Sequence, residues 1–243
     1  MLLEVDHVSK AFGGVRAVAD CSFAVQEGTI TALIGPNGAG KTTAFNLISG
    51  ILTPDSGRIK FAGNDITGLR PHKIARLGVG RTFQITRELG DLTVLENMVV
   101  GTARGTFREL LGRRVLAREE QQAMELLDFV GIARLADQKA KTLSYGQRKL
   151  LEFASVLMSR PRLVLLDEPA GGVNPALLDR IVDRIRTLNQ TGITFLIVEH
   201  NMDMVMNLSD EVVVMAHGEV ITQGPPTRIR SDDRVLDAYL GRV

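Results

Sequence analysis

An α/β fold is predicted by three features of this sequence. The run Gly35-Pro36-Asn37-Gly38-Ala39-Gly40-Lys41-Thr42 fits G-x-x-x-x-G-K-[ST], a loop that joins a strand to a helix. Leu163-Val164-Leu165-Leu166 and Thr194-Phe195-Leu196-Ile197-Val198 are continuous apolar runs, the pattern of strands covered on both faces. Between them, Ala176 to Leu188 sets Leu177, Leu178, Ile181, Ile185 and Leu188 at helical spacing.

The elements follow in chain order. Leu2 to Val8, Cys21 to Val25 and Arg58 to Phe61 read as short strands, the last introduced by the turn Pro54-Asp55-Ser56-Gly57. Thr29 to Ile34 reads as a buried strand feeding the glycine-rich loop, and Thr43 to Ile48 as the start of the helix after it. From Ile85 to Arg160 strand signals are few and helix formers many. Ala117 to Val130 carries Ala123, Met124, Leu127 and Val130 on one face and charges on the other. The reading is a helical insertion over residues 85–160 within a single domain, 1–243. The second α/β portion begins near Pro161 and adds Val212-Val213-Val214-Met215 as a further strand.

Composition narrows the function. A chain of 243 residues can bury a substantial core. Its net charge of +1 gives no global field for nucleic acid, so no nucleic-acid partner is expected. The single cysteine, Cys21, excludes an intrachain disulfide and fits a reducing compartment. Met1 to Asp6 has neither the basic nor the apolar region of a signal peptide. No apolar run approaches the roughly 20 residues that span a bilayer. Any membrane role is therefore expected to come through a partner. Arg104, Arg108, Arg113, Arg114 and Arg118 read as a solvated helical face, and Met202, Met204 and Met206 as helix packing.

The motifs carry nucleotide chemistry. Glycines let the N–H groups of Gly35 to Thr43 turn toward phosphate oxygens, and the helix start adds partial positive charge. Lys41 is placed to reach the β- and γ-phosphates of ATP, and the Thr42 hydroxyl to hold Mg²⁺. The strand ending Leu166-Asp167-Glu168-Pro169 offers two acids where ligands of parallel sheets gather. Asp167 suits Mg²⁺, reached through water, and Glu168 suits orientation of the attacking water. Ser144 is a good N-cap for a helix running from Tyr145 through Glu152.

Leu143-Ser144-Tyr145-Gly146-Gln147 resembles the LSGGQ signature of ATP-binding cassette proteins, with Tyr145 in place of the first glycine. The resemblance spans essentially the whole chain and implies further roles. Phe12 is similar to the aromatic residue that stacks on adenine. Gln84 matches the glutamine that contacts Mg²⁺ and water, Ala170 to Asn174 the D-loop, and His200 the switch histidine that donates to the γ-phosphate. Ser144, Tyr145, Gly146 and Gln147 would contact ATP held by the opposite subunit. Gly80-Arg81-Thr82-Phe83-Gln84, Leu95-Glu96-Asn97, Asn174-Pro175, Glu199-His200-Asn201-Met202 and Ala238-Tyr239-Leu240-Gly241 resemble the LivG-type ATPases of branched-chain amino acid importers.

That resemblance implies an N-terminal antiparallel subdomain and an inserted helical subdomain on a P-loop core. It also implies a head-to-tail pair of cassettes (homo- or heterodimer), separate permease subunits, a solute-binding protein, and a place on the cytoplasmic face of the membrane. Import of urea or short amides is the alternative cargo, with lipopolysaccharide export more distant. A soluble cassette ATPase is the alternative class, although such proteins usually carry two cassettes or a long coiled-coil insertion, and this chain has neither.

Overall fold

The computed structural model describes residues 1–82, 89–100 and 113–240, with the backbone alone over 113–116. Two sheets organise these residues. The first is four-stranded and antiparallel: β1 (Leu3–Phe12) lies between β2 (Val15–Val25) and β4 (Ser56–Phe61), with the short β5 (Asn64–Asp65) outside β4. The second is six-stranded, in the order β10 (Glu219–Gly224), β9 (Glu211–Ala216), β3 (Ile30–Ile34), β8 (Thr194–Val198), β7 (Leu163–Asp167) and β6 (Val79–Arg81). Its strands β9, β3, β8, β7 and β6 run parallel, and β10 closes one edge antiparallel.

Every residue of β3, β7 and β8 is buried, as their apolar runs require. The pleat then sorts them. Leu33, Leu163, Leu165, Leu196 and Val198 face a cluster shared with the antiparallel sheet and with α1 (Lys41–Ile48). Val164, Leu166, Phe195 and Ile197 face α4 (Arg113–Phe129), α5 (Tyr145–Leu157) and α6 (Pro175–Gln190). Ala32, Ile34, Val212 and Val214 complete the second face under α7 (Met202–Leu208), α8 (Pro226–Ile229) and α9 (Asp233–Leu240). The short α2 (Pro71–Arg76) and α3 (Val94–Val100) complete the set.

Several boundaries differ from those expected from sequence. β1 continues to Phe12, and β2 begins at Val15 rather than Cys21. Their outer halves are largely exposed, so no buried alternation marks them. α1 starts at Lys41, two residues early, because Gly40 ends the loop in a left-handed turn. β6 and β10 are additions. One is three residues long and the other mixes Glu219, Thr222 and Gln223 into its run.

Candidate nucleotide site

The loop from Gly35 to Gly40 connects the C-terminal end of β3 to α1 and depends on glycine at two places. Gly35 has φ 150°, and a Cβ there would collide with the carbonyl oxygen of Met215. Gly40 has φ 97°, and a Cβ there would collide with the carbonyl of Ala17. Gly40 is also the N-cap of α1 and supplies no side-chain acceptor, so the first-turn N–H groups are left for an anion. Lys41 Nζ donates to the carbonyls of Gly35 (2.7 Å) and Pro36 (2.9 Å). Burial pushes the Lys41 ammonium below the ordinary lysine range, and the Glu168 carboxylate pulls the other way.

Asp167 and Glu168 stand at the end of β7, separated from β3 only by β8. Asp167 is buried and paired with Arg81, whose Nη2 donates to Oδ2 at 3.1 Å. Arg81 is held in turn by Asn46 Oδ1 (2.8 Å) in α1 and Ser49 Oγ (2.7 Å) just after it. Burial raises the Asp167 carboxyl above its usual range despite the opposing pull of Arg81. Further positive charge at this carboxylate would therefore be stabilising. The Asp167 carboxylate and the Thr42 hydroxyl are each hard oxygen donors, the chemistry that suits a divalent cation. Among the described residues, no group of three or more His, Cys, Asp or Glu forms a metal cluster of its own.

Glu168 sits at φ 48°, in the left-handed region, a strained conformation for a residue that carries a Cβ. Its backbone is fixed on both sides. Its N–H donates to Val198 O at 2.9 Å, and its carbonyl accepts from Gly171 N–H at 3.0 Å and Lys149 Nζ at 3.3 Å. His200 follows β8, and its Nδ1 lies 4.0 Å from Glu168 Oε1. Lys41, Asp167, Glu168 and His200 thus gather where the parallel strands β3, β7 and β8 end.

The signature segment lies elsewhere on the surface. Ser144 caps α5 through a reciprocal pair with Gln147: Ser144 Oγ accepts from Gln147 N–H (3.3 Å), and Gln147 Oε1 accepts from Ser144 N–H (2.8 Å). Tyr145 O–H donates to the carbonyl of Gly171 at 3.2 Å, and its ring lies against Gly172. Ser144 to Gln147 and Gly172 to Asn174 line one open depression of about 500 Å³. Phe12 ends β1, about half exposed, with Lys10 Nζ 5.8 Å from its ring centre. Gln84, Arg104 and Arg108 lie outside the described residues, and Arg113 and Arg114 are described in backbone only.

Two contributors had no role assigned from sequence. Arg81 and Glu199 stood inside quoted motifs, but their partners, Asp167 and Ala170, lie 86 and 29 residues away. Nothing local in sequence announces such pairs.

A glycine-turned loop on a parallel strand, with paired acids two strands over, makes this a P-loop ATPase. Residues 18–171 match the ABC transporter family model, and residues 219–243 match that of the branched-chain amino acid ATP-binding cassette transporters. The chain is 41% identical to a probable branched-chain amino acid transport ATP-binding protein LivG of Archaeoglobus fulgidus, over 99% of this chain and 95% of that one. It is likewise 41% identical to the high-affinity branched-chain amino acid transport ATP-binding protein BraF of Pseudomonas aeruginosa, over 100% and 98%. The ADP conformation of an ATP-binding cassette of an ABC transporter superposes with a TM-score of 0.87 at 35% identity, covering 99% and 98% of the two chains. The chain belongs to the ATP-binding subunits of ABC transporters, in the branched-chain amino acid group.

Proposed function

We propose that this chain powers import of branched-chain amino acids by binding and hydrolysing ATP between two cassettes. The cargo rests on one observation, the full-length likeness to LivG and BraF, because no cargo touches an ATPase subunit. No helix among the described residues is long and apolar enough to cross a membrane. Permease subunits would supply the path, with this chain on the cytoplasmic face, a solute-binding protein on the far side, and residues 85–160 as the helical subdomain facing the permease.

In this reading the loop from Gly35 to Thr43 binds ATP, its N–H groups and the Lys41 ammonium cradling the phosphates, and Phe12 stacks on adenine. Thr42, Asp167 and Gln84 would hold Mg²⁺, whose charge neutralises β- and γ-phosphate oxygens. Glu168 orients and takes a proton from the attacking water, and His200 donates to the γ-phosphate. Ser144, Tyr145, Gly146 and Gln147 complete the site of the opposite subunit.

Uptake of radiolabelled leucine tests the proposal in a strain lacking other routes. Deleting the gene should abolish uptake, the wild-type gene should restore it, and a Glu168→Gln copy should not. Unchanged leucine, isoleucine and valine uptake, with loss of urea or amide uptake instead, would transfer the chain to the alternative cargo.

A further inference from the structure

Glu199, the residue after β8, is fully buried, and its carboxylate is taken up by three backbone N–H groups. Ala170 N–H donates to Oε1 at 2.7 Å, while His200 N–H (2.8 Å) and Asn201 N–H (2.9 Å) both donate to Oε2. The two oxygens therefore face different segments. One holds the start of Ala170–Asn174, which follows closely on Glu168 and packs on Tyr145 of the signature helix through Gly171 and Gly172. The other holds the backbone of His200 and the N-cap of α7.

We propose that Glu199 is a positioning residue that ties the Ala170 amide to the His200 backbone, so that His200 is aimed by the position of the 170–174 segment. The inference rests on the site reading above, in which His200 meets the γ-phosphate and Ser144 to Gln147, against which residues 170–174 pack through Tyr145, complete the site of the opposite subunit. A movement at the subunit seam is then passed to His200 across a single carboxylate. No neutral side chain can do this. Glutamine offers one acceptor and one donor, so its amide must oppose either the Ala170 N–H or the His200 and Asn201 pair. In a fully buried place that opposition leaves a polar group unpaired at the cost of its desolvation.

Turnover and affinity of purified full-length chain decide the matter. Glu199→Gln should lower kcat by about 10-fold to 10²-fold, the cost of a small misplacement near the reacting atoms. KM and the calorimetric affinity for ATP should stay within about threefold, because the phosphate loop is untouched. On a His200→Ala background, followed by single turnover where steady-state rates are too slow, the same change should lower the rate by less than about twofold, since its route to ATP is through His200. Unchanged kcat in Glu199→Gln, or equal losses on both backgrounds, overturns the proposal. Glu168→Gln, run in parallel, separates the two readings: near-normal turnover there defeats the site reading itself. Its loss of turnover beside a silent Glu199→Gln defeats the coupling alone. If Glu199→Gln does not fold, hydrogen exchange by NMR on the wild-type protein tests the coupling directly. The amides of Ala170, His200 and Asn201 should open together and be slowed together by a non-hydrolysable ATP analogue. Independent exchange of the two segments overturns the coupling.

Discussion

At Lys41 the fold keeps a cation in a place that disfavours it. Partial burial lowers its affinity for a proton, and it rests on the carbonyls of Gly35 and Pro36. Phosphate oxygens would offer far stronger acceptors at the same loop. Lys41→Ala should therefore weaken Mg-ATP binding as well as hydrolysis. Equal affinity of wild type and mutant by calorimetry would contradict the phosphate-loop assignment. His200 was singled out through the family resemblance, whereas the places of Lys41, Asp167 and Glu168 were legible in the sequence because each sits at a fixed offset from a strand end. Arg81 was not: its value lies in holding Asp167 against α1, and that contact exists only after β6 pairs with β7.

Caps and edges decide what was legible among the elements. Asn174 accepts from Leu177 N–H at 2.9 Å and starts α6, with Pro175 as its first residue. Asn174→Ala should cost about 1 kcal/mol in urea unfolding, whereas Asn174→Asp should hold stability near wild type, because Asn and Asp cap equally well. A full cost in the aspartate variant would show that the amide N–H₂, rather than the carbonyl, matters there. At the other end of the chain, Asp232 precedes α9: its Oδ1 accepts from the Arg234 N–H at 3.1 Å, and its Oδ2 from Arg234 Nη2 at 2.7 Å. Arg234 holds the Asp232 carboxyl down at about 2. A depressed carboxyl contributes stability above its unfolded value of 3.8 and loses it as pH falls through about 2. The stability gap between wild type and Asp232→Asn should thus be constant from neutral pH to about pH 5 and narrow below about pH 4. A gap that instead widens on acidification would remove the ion pair as its source. The strands β3, β7 and β8 were plain in sequence because both faces are buried. β10 and the outer half of β2 were not, since they meet solvent along much of their length and are placed by neighbours.

At the scale of the whole molecule, the phosphate loop is not among the residues that line the depression at Ser144 to Gln147, and the proposed shared site requires a second cassette to bring the two together over one ATP. The structure adds a constraint to any test of that arrangement. Gly146 lies close to α6, and a Cβ there would press on the Leu177 Cδ2 methyl of its own chain. The obstruction is the end of a flexible side chain, so Gly146→Asp can be accommodated by moving Leu177, but it also sets a carboxylate at the surface that would face the partner's γ-phosphate. ATP affinity of the monomer should therefore be retained, since the phosphate loop is distant, while the added negative charge blocks closure. If Glu168 orients the attacking water, the Glu168→Gln background should hold ATP unhydrolysed and make the closed pair long-lived. By size exclusion, Glu168→Gln alone should shift to a dimer on adding ATP, and Glu168→Gln with Gly146→Asp should stay monomeric. Calorimetry on the double mutant controls for damage near Leu177: retained ATP binding assigns the lost dimer to the seam, and lost binding assigns it to misfolding. If the double mutant binds ATP and still dimerises, the shared site is wrong.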